Sequence, residues 1–434
     1  MYTVTNCGGW EFYLLIFKFN AMKRIISSRV IITSAIIFAM FSCNKNDNKS
    51  VAPTDDSNLL TNTMMLENGN NPDEMIIQTG SSDGIESNSL SSHNNRREHF
   101  LYTETNASGT NQILRYAINR DGSLHFDGST LSGGAGTGTG LGSQGALALD
   151  KDHEWLFAVN AGGNSVSSFK VENDGSLTLA HTETTAGEMP ISLTVHSNLL
   201  YVLNTGSDNI HGFIIGPGGS LTHIDGSTQS LSGKAVVAPQ ISFTPNGNWI
   251  LVTEKATNNI SAFKVKVNGS VSAGIVTAST GETPFGFDFG RDDVMVVSNA
   301  AGGAADAGSA TSYDVTGSGR LHSINGAVAN HQGAPCWVAT TEFGRFAFVS
   351  NTGSNSISSY YIAPNGRLFL VNKAAAPTDN APADIVVAKD NIHVYALNVK
   401  SGTISEFHRT IFGGLEAIGS VSGLPAATTG LARY

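Results

Sequence analysis

The sequence is poor in cysteine and in charge. Its 434 residues include only three cysteines, and 14% of the residues are Asp, Glu, Lys or Arg. Cys7, Cys43 and Cys336 are too few and too widely spaced for a disulfide framework, so core packing must stabilise the fold. No His, Cys or carboxylate cluster has the spacing of zinc ligands, and no Asp-x-Asp-x-Asp calcium loop is present. We therefore expect neither a metal nor another cofactor.

Extended helical patterning is also missing. After residue 100 the sequence contains no heptad repeat and no long stretch of helical periodicity. Glycine is abundant instead, with 48 residues, and aromatic and β-branched residues are spread throughout. This composition is typical of an all-β protein rich in turns. The net charge of −10 argues against nucleic acid and against anionic membrane surfaces as partners.

Residues 22–42 have the pattern of a bacterial export signal. A basic beginning, "MKR", is followed by the apolar run "VIITSAIIFAMF" (30–41) and then by "SC", which ends at Cys43. A small residue and a cysteine that close such a run resemble the lipobox of bacterial lipoproteins, which implies lipidation of Cys43. The apolar run is too short for a transmembrane helix. Residues 1–21 precede a complete signal, so we expect the natural start at Met22.

The segment 43–98 connects this signal to the rest of the chain. It is rich in Asn, Ser and Asp and has few large apolar residues. Such a composition cannot bury a core and is typical of a flexible tether. We therefore expect a monomer anchored by lipid alone in the cell envelope of a Gram-negative-type bacterium, facing the periplasm or the outside.

Seven copies of one sequence unit fill residues 99–434. In every copy an aromatic residue is followed six positions later by glycine and eight positions later by Leu or Val, and a small or β-branched apolar residue stands three positions before it. The aromatic residues are Tyr116, Phe169, Phe213, Phe263, Tyr313, Tyr360 and Phe407. Repeats of this length are typical of propeller blades and too long for leucine-rich or ankyrin units.

Each unit is expected to form a four-stranded antiparallel sheet. An inner strand begins just after a proline, as in "PISLTV" and "PADIVV", and Asp-Gly or Asn-Gly pairs favour a tight hairpin between strands three and four. Only six complete inner strands lie between the seven second strands. The C-terminal "PAATTGLARY" (425–434) supplies the seventh beside "HFLYTETN" (99–106). The sequence therefore predicts an all-β, seven-bladed propeller whose first blade is built from both chain ends.

The stretches "YVLNTGSDNIHGF", "FTPNGNWILVTEKATNNISAF" and "FVSNTGSNSISSYYIAPNGRL" resemble the propeller lactonase family. That family includes 6-phosphogluconolactonase-type enzymes and carboxymuconate cyclases, together with wider propellers named for a Tyr-Val-Thr-Asn strand. The resemblance implies hydrolysis or formation of a lactone. Few cations fall on the loop face, which favours a neutral or sugar-like lactone over a phosphorylated one.

Candidate site residues lie where the inner strands begin and the second strands end, because these positions share the loop face and surround the mouth of a channel. Glu254 ends its second strand where we expect Asn in the other six copies. If the protein is a lactonase, Glu254 is the candidate general base, and Lys255 or His331 would stabilise the oxyanion. The residues expected to line the substrate site are Gln144, Gln240, Phe285, Trp337 and Asp384.

Two alternatives stay open at this point. Glu254 could cap its loop as Asn does, without a catalytic role. Where enzymes of the resembled family commonly carry a Pro-x-His inner strand, this chain reads "VAPQISFTPNG" with Gln240. That departure favours a non-catalytic propeller that binds glycan, peptide or protein through its loop face. The arginines at 120, 291, 320, 345 and 367 fall on the opposite, turn face, where we expect solvated turns.

Overall fold

The computed structural model describes residues 99–434, which form seven antiparallel sheets of at least four strands. Each sheet is one blade, and the inner strands of neighbouring blades contact one another around a ring. The predicted all-β class and seven-bladed propeller are confirmed. The signal, the lipidated Cys43 and the tether lie outside the described residues.

Blade 1 is built from both ends of the described chain. Its inner strand, Thr429–Arg433, pairs antiparallel with His99–Glu104, and Leu101 lies opposite Arg433. The backbone N–H of Tyr434 also donates to the Phe100 carbonyl at 2.8 Å. The predicted closure is therefore confirmed. The ring is thus completed within residues 99–434.

The two strands of each blade that lie nearest the channel carry most of the core. The inner strands of blades 1 to 7 are Thr429–Arg433, Leu147–Leu149, Pro190–His196, Gln240–Phe243, Pro284–Phe289, Pro335–Thr340 and Pro382–Val387. The second strands, in the same order, are His99–Glu104, Trp155–Asn160, Leu199–Asn204, Trp249–Glu254, Met295–Asn299, Phe346–Asn351 and His393–Asn398. The second strands are buried almost throughout, because neighbouring blades cover both of their faces.

The third strand of each blade is largely buried, whereas the outer strand is largely exposed. The third strands are Gln112–Ile118, Ser165–Val171, Asn209–Ile215, Asn259–Lys264, Ser309–Val315, Ser356–Ile362 and Thr403–Arg409. The outer strands are Leu124–Leu131, Leu177–Thr184, Leu221–His223, Ile275–Ala278, Leu321–Ala329, Leu368–Pro377 and Leu415–Ser422, and Gln229–Ser230 adds a short fifth strand to blade 3. Short 3-10 turns occupy Pro217–Gly219, Arg291–Asp293 and Ala301–Gly303. Among the described residues no helix is long and apolar enough to span a bilayer.

The repeated aromatic residues hold neighbouring blades together. All seven are buried, from 0% exposed at Phe169 to 4% at Tyr116. They belong to clusters that combine residues of adjacent blades, such as Phe169 of blade 2 with Phe100 of blade 1. Truncating a side chain of this kind to Ala costs about 3–5 kcal/mol in other proteins. The residues that define the repeat therefore make the main packing contacts between blades.

The repeated glycine is required by a close contact between blades. Gly175 has a φ of 73°, and a Cβ atom there would lie 2.2 Å from the ring of Phe100. Its carbonyl accepts a hydrogen bond at 2.7 Å from the Tyr102 hydroxyl of blade 1. The same contact joins Tyr395 to Gly122 and Tyr201 to Gly269. Glycine therefore serves both the hairpin and the junction between blades.

Candidate functional site

Glu254 lies at the end of the second strand of blade 4 and is completely buried. Its Oε1 accepts hydrogen bonds from the Ser261 hydroxyl at 2.6 Å and from the Ser232 backbone N–H at 3.1 Å. Its Oε2 accepts from the Thr257 hydroxyl at 2.8 Å and also from the Ser232 hydroxyl. Four donors from three loops and strands therefore surround the carboxylate and fix the loop that follows it.

The same position in other blades shows what Glu254 replaces. Asn351 donates to Ser356 and Ser358 at 3.1 and 2.9 Å, and Asn398 makes the equivalent bonds in blade 7. Ser261 has the register position of Ser358, so blade 4 keeps the hydroxyl and reverses the direction of the bond. The longer Glu side chain also reaches the link between blades 3 and 4. The geometry thus favours the loop-capping interpretation of Glu254.

Blade 1 corrects one sequence expectation. We expected Asn at this position in six blades, but the strand register places Thr105 there, because Glu104 pairs with Ile113. The loop of blade 1 is longer, which moves Asn106 one residue beyond the strand position. Glu104 itself faces the interior, and burial raises its pKa well above the ordinary value. Its partner is the Asn111 amide at 3.4 Å.

Lys255, the first residue after the second strand of blade 4, lies at the mouth of the channel. Its Nζ lies 4.3 Å from the centre of the Phe285 ring and 3.4 Å from the Gly142 carbonyl. Burial lowers the pKa of this ammonium, because few partners replace the water that it loses. Cys336 lies close by, and burial raises the pKa of its thiol to about 11. The mouth of the channel thus holds a partly desolvated lysine beside an aromatic face.

A strap, residues 141–145, crosses the loop-face mouth. The Ser143 carbonyl accepts from the Trp337 indole N–H at 2.8 Å, and the Gln144 side-chain amide pairs with the N–H and carbonyl of Val338. The backbone N–H of Gln144 donates to Pro239, and the Gly145 carbonyl accepts from Leu193. The strap therefore ties blades 3, 4 and 6 together, and the predicted ligand contacts Gln144 and Trp337 hold it in place.

Two other predicted site residues join neighbouring inner strands. The Gln240 amide accepts from the Phe287 N–H at 2.6 Å and donates to its carbonyl at 2.8 Å. The Asp384 carboxylate accepts from the Leu431 N–H at 3.0 Å, and burial raises its pKa to about 7. With Gln144, both line a channel cavity of about 270 Å³. The side chains of Gln240 and Asp384 hydrogen-bond to backbone groups at the edge of the next inner strand. Those backbone groups would otherwise be buried without a partner.

His331 lies apart from the other predicted catalytic residues. It is exposed in the loop before the inner strand of blade 6 and has a φ of 56°. Within residues 99–434, no hydrogen bond or ion pair joins it to Glu254 or Lys255. The structure thus brings Lys255, Phe285 and Trp337 together, with the two rings 4.9 Å apart, and leaves His331 outside this corner.

Sequence reasoning missed two charged residues inside the channel. The Asp288 carboxylate accepts from the Thr340 N–H and hydroxyl at 2.8 and 2.9 Å, and burial raises its pKa. Arg433 lies near enough to favour the ionised form of Asp288, and its own pKa is lowered by burial. A charged residue inside an otherwise apolar inner strand, as in "PFGFDF", was the available signal. Among the described residues no group of three or more His, Cys, Asp or Glu could hold a metal ion.

A closed ring of seven four-stranded blades around a polar channel defines the seven-bladed β-propeller class. Residues 90–238 and 319–425 match the family model described as "Lactonase, 7-bladed beta-propeller", which covers more than half of the chain. The protein therefore belongs to the seven-bladed β-propeller lactonase family. The stretch that the model leaves unmatched contains Gln240, Glu254, Lys255 and Phe285. No curated protein matches the chain in sequence.

Solved structures share the fold at low sequence identity. A candidate 6-phosphogluconolactonase from Bacteroides fragilis superimposes with a TM-score of 0.65 and 19% identity, over 79% of this chain and 99% of that one. The periplasmic gluconolactonase of Pseudomonas aeruginosa gives 0.61 and 18%, over 77% and 98%. Hydrazine synthase of Kuenenia stuttgartiensis gives 0.51 and 13%, over 71% and 95%. Because so different a protein shares the ring, the fold does not identify the reaction.

Proposed function

We propose that the protein opens, or closes, the ring of a small neutral or sugar-like lactone at the loop-face corner formed by Lys255, Phe285 and Trp337. The observation that carries the proposal is the partly desolvated Lys255 amine, held over an aromatic face at the channel mouth of a lactonase-family propeller. Burial lowers the pKa of Lys255, so the neutral amine, which is the form able to accept a proton, costs less to form than at an exposed lysine.

In this proposal Lys255 acts twice in ring opening. The neutral amine takes a proton from water while the water oxygen attacks the lactone carbonyl. The ammonium formed then stabilises the oxyanion, and it returns the proton to the ring oxygen as the carbon–oxygen bond breaks. The product is the open hydroxy acid, and the amine is regenerated. Phe285 and Trp337 would hold the apolar face of the ring.

Glu254 is a positioning residue in this proposal. Its oxygens already accept from Ser232, Thr257 and Ser261. Its bonds fix the loop that begins with Lys255. The role of general base that the sequence suggested for Glu254 would require one of these donors to leave.

A lactone panel tests the proposal. Residues 99–434 would be assayed with gluconolactone, phosphogluconolactone and γ-butyrolactones, as wild type and as Lys255→Met, which keeps the chain length of the side chain without its amine. We expect turnover of a neutral lactone that rises with pH as the amine loses its proton, and loss of at least about tenfold in kcat in the variant. His331→Ala is the matched control and should keep its rate.

A second function is favoured by a specific observation. The strap crosses the mouth and is bonded to three blades, which leaves the loop face better suited to surface contact than to turnover. The protein would then be a non-catalytic propeller of the cell envelope that binds glycan, peptide or protein. An absence of turnover with every lactone, in a folded protein, would contradict the enzyme proposal and support this one.

The cellular setting is proposed from the sequence alone. Lipidation at Cys43 would anchor the propeller in the envelope through the tether 44–98. Partition of the full chain into a detergent phase, compared with Cys43→Ala, tests this directly. We expect the wild type in the detergent phase and the variant in the aqueous phase. Equal partition of both would contradict lipidation.

A further inference from the structure

A large cavity lies on the turn face, at the opposite end of the ring from Lys255. It has a volume of about 860 Å³ and lies between the turns of blades 5, 6 and 7. We call it the turn-face pocket; the residues that matter most in its lining are Arg291, Phe343, Arg345, Phe346, Arg409 and Ile411. The turns that form it are bonded together, since the Arg291 N–H donates to the Gly344 carbonyl and the Glu342 N–H donates to Asn391.

Three guanidinium groups converge on this pocket. Arg409 is fixed by bonds of 2.9 and 2.7 Å to the Asn391 carbonyl and lies 6.0 Å from the Phe346 ring. The Nε of Arg291 is buried without a hydrogen-bond acceptor and lies 3.6 Å from an Asp292 oxygen. Arg345 is exposed. Asp292 and Glu342 also line the pocket, so three positive charges face two negative ones in a chain whose net charge is −10.

The apolar part of the pocket breaks the pattern of the repeats. Phe343 and Ile411 are 72% and 78% exposed, in turns that are polar in most other blades. The turn between strands three and four reads "RDGS" and "NDGS" in blades 1 and 2 but "IFGG" in blade 7. The hairpin requires only the glycine, so the exposed Ile411 has no role in forming it. Phe343 of blade 6 and Ile411 of blade 7, which both replace polar turn residues, thus line the same cavity.

We propose that the turn-face pocket binds a small amphipathic anion, with a carboxylate or phosphate group against Arg345 and Arg291 and an apolar ring or chain between Phe343 and Ile411. Arginine suits such a group because its planar fork donates two parallel bonds. The site is separate from the loop-face corner and does not depend on lactone chemistry.

Calorimetric titration of residues 99–434 with phenyl phosphate tests the proposal. Inorganic phosphate and benzyl alcohol serve as probes that carry only the anionic or only the apolar half. We expect phenyl phosphate to bind more tightly than either half. Arg345→Leu should weaken binding at least about tenfold, and Phe343→Ser severalfold. Arg320→Leu, which removes an exposed arginine from a turn outside the pocket, should bind like the wild type.

Three results would overturn the proposal. Phenyl phosphate could fail to bind the wild type at millimolar concentration. Arg345→Leu and Arg320→Leu could weaken binding equally, which would show only general attraction to positive charge. Inorganic phosphate could bind as tightly as phenyl phosphate, which would exclude a role for Phe343 and Ile411. Because Arg345 and Phe343 are exposed, these variants should fold normally, and an unchanged thermal unfolding midpoint verifies this.

Discussion

The two ends of the propeller differ in how they use the residues that connect the strands. At the loop end the strap crosses the channel, and polar side chains there hydrogen-bond to backbone groups, as Gln144 does to Val338. At the turn end two blades replace polar turn residues with exposed Phe343 and Ile411 around a cavity. The comparison teaches that a polar residue at a channel mouth is weak evidence for a ligand, because the free strand edges of a propeller need the same side chains.

The largest expected effect contrasts one aromatic residue from each end. Trp337→Ala removes a buried indole that packs on Phe285 and donates to the strap, so the free energy of unfolding should fall by about 3–5 kcal/mol. Phe343→Ala removes an exposed ring and should change it by less than about 0.5 kcal/mol. Urea unfolding of residues 99–434 measures both. Equal losses would show that the two ends do not differ as described.

A buried carboxyl group in the channel, that of Asp384, makes the stability of the fold depend on pH. Burial raises the Asp384 pKa from 3.8 to about 7, so the folded state favours the protonated carboxyl. The stability from this group is fully present below about pH 4 and is lost as the pH rises through about 7, with a limit of roughly 4 kcal/mol. The stability of the wild type relative to Asp384→Asn should therefore fall as the pH rises from about 4 to about 7. A difference independent of pH would contradict the buried, protonated assignment.

A smaller effect is expected at the loop that Glu254 holds. Glu254→Ala leaves Ser232, Thr257 and Ser261 without their acceptor and should cost about 1–3 kcal/mol. Glu254→Asn recreates the residue of five other blades and should recover part of that loss through Ser261. Asn351→Ala is the matched control in blade 6, and its cost should be similar. A Glu254→Ala protein as stable as the wild type would argue against the capping role.

The ring could be predicted from the sequence because its signals are local and repeated. Each aromatic residue and each glycine, such as Phe169 and Gly175, occupies the same contact between blades seven times. The closing strand at 429–433 followed from counting strands. These features depend on hairpin geometry and packing within and between neighbours, which a repeat makes visible.

The candidate site was less predictable because it depends on contacts between distant segments. Nothing in the spacing of residues 141–145 shows that they cross the channel as the strap. Gln144 and Gln240 were identified as lining residues, but their backbone partners lie 194 and 47 residues away. Arg291 and Arg345 were expected in solvated turns, and only the closed ring brings them together.

The most direct test of the account compares the ring-opening rates of Glu254→Asn and Lys255→Met in residues 99–434, with a neutral lactone as substrate. Glu254 is bonded to Ser261 and the loop, whereas Lys255 lies against Phe285 at the channel mouth, so the pair separates the chemistry from the support of the loop. We predict that Glu254→Asn keeps its rate within about threefold of the wild type, while Lys255→Met loses at least about tenfold. The reverse result, with activity lost in Glu254→Asn and kept in Lys255→Met, would contradict the account and make Glu254 the base.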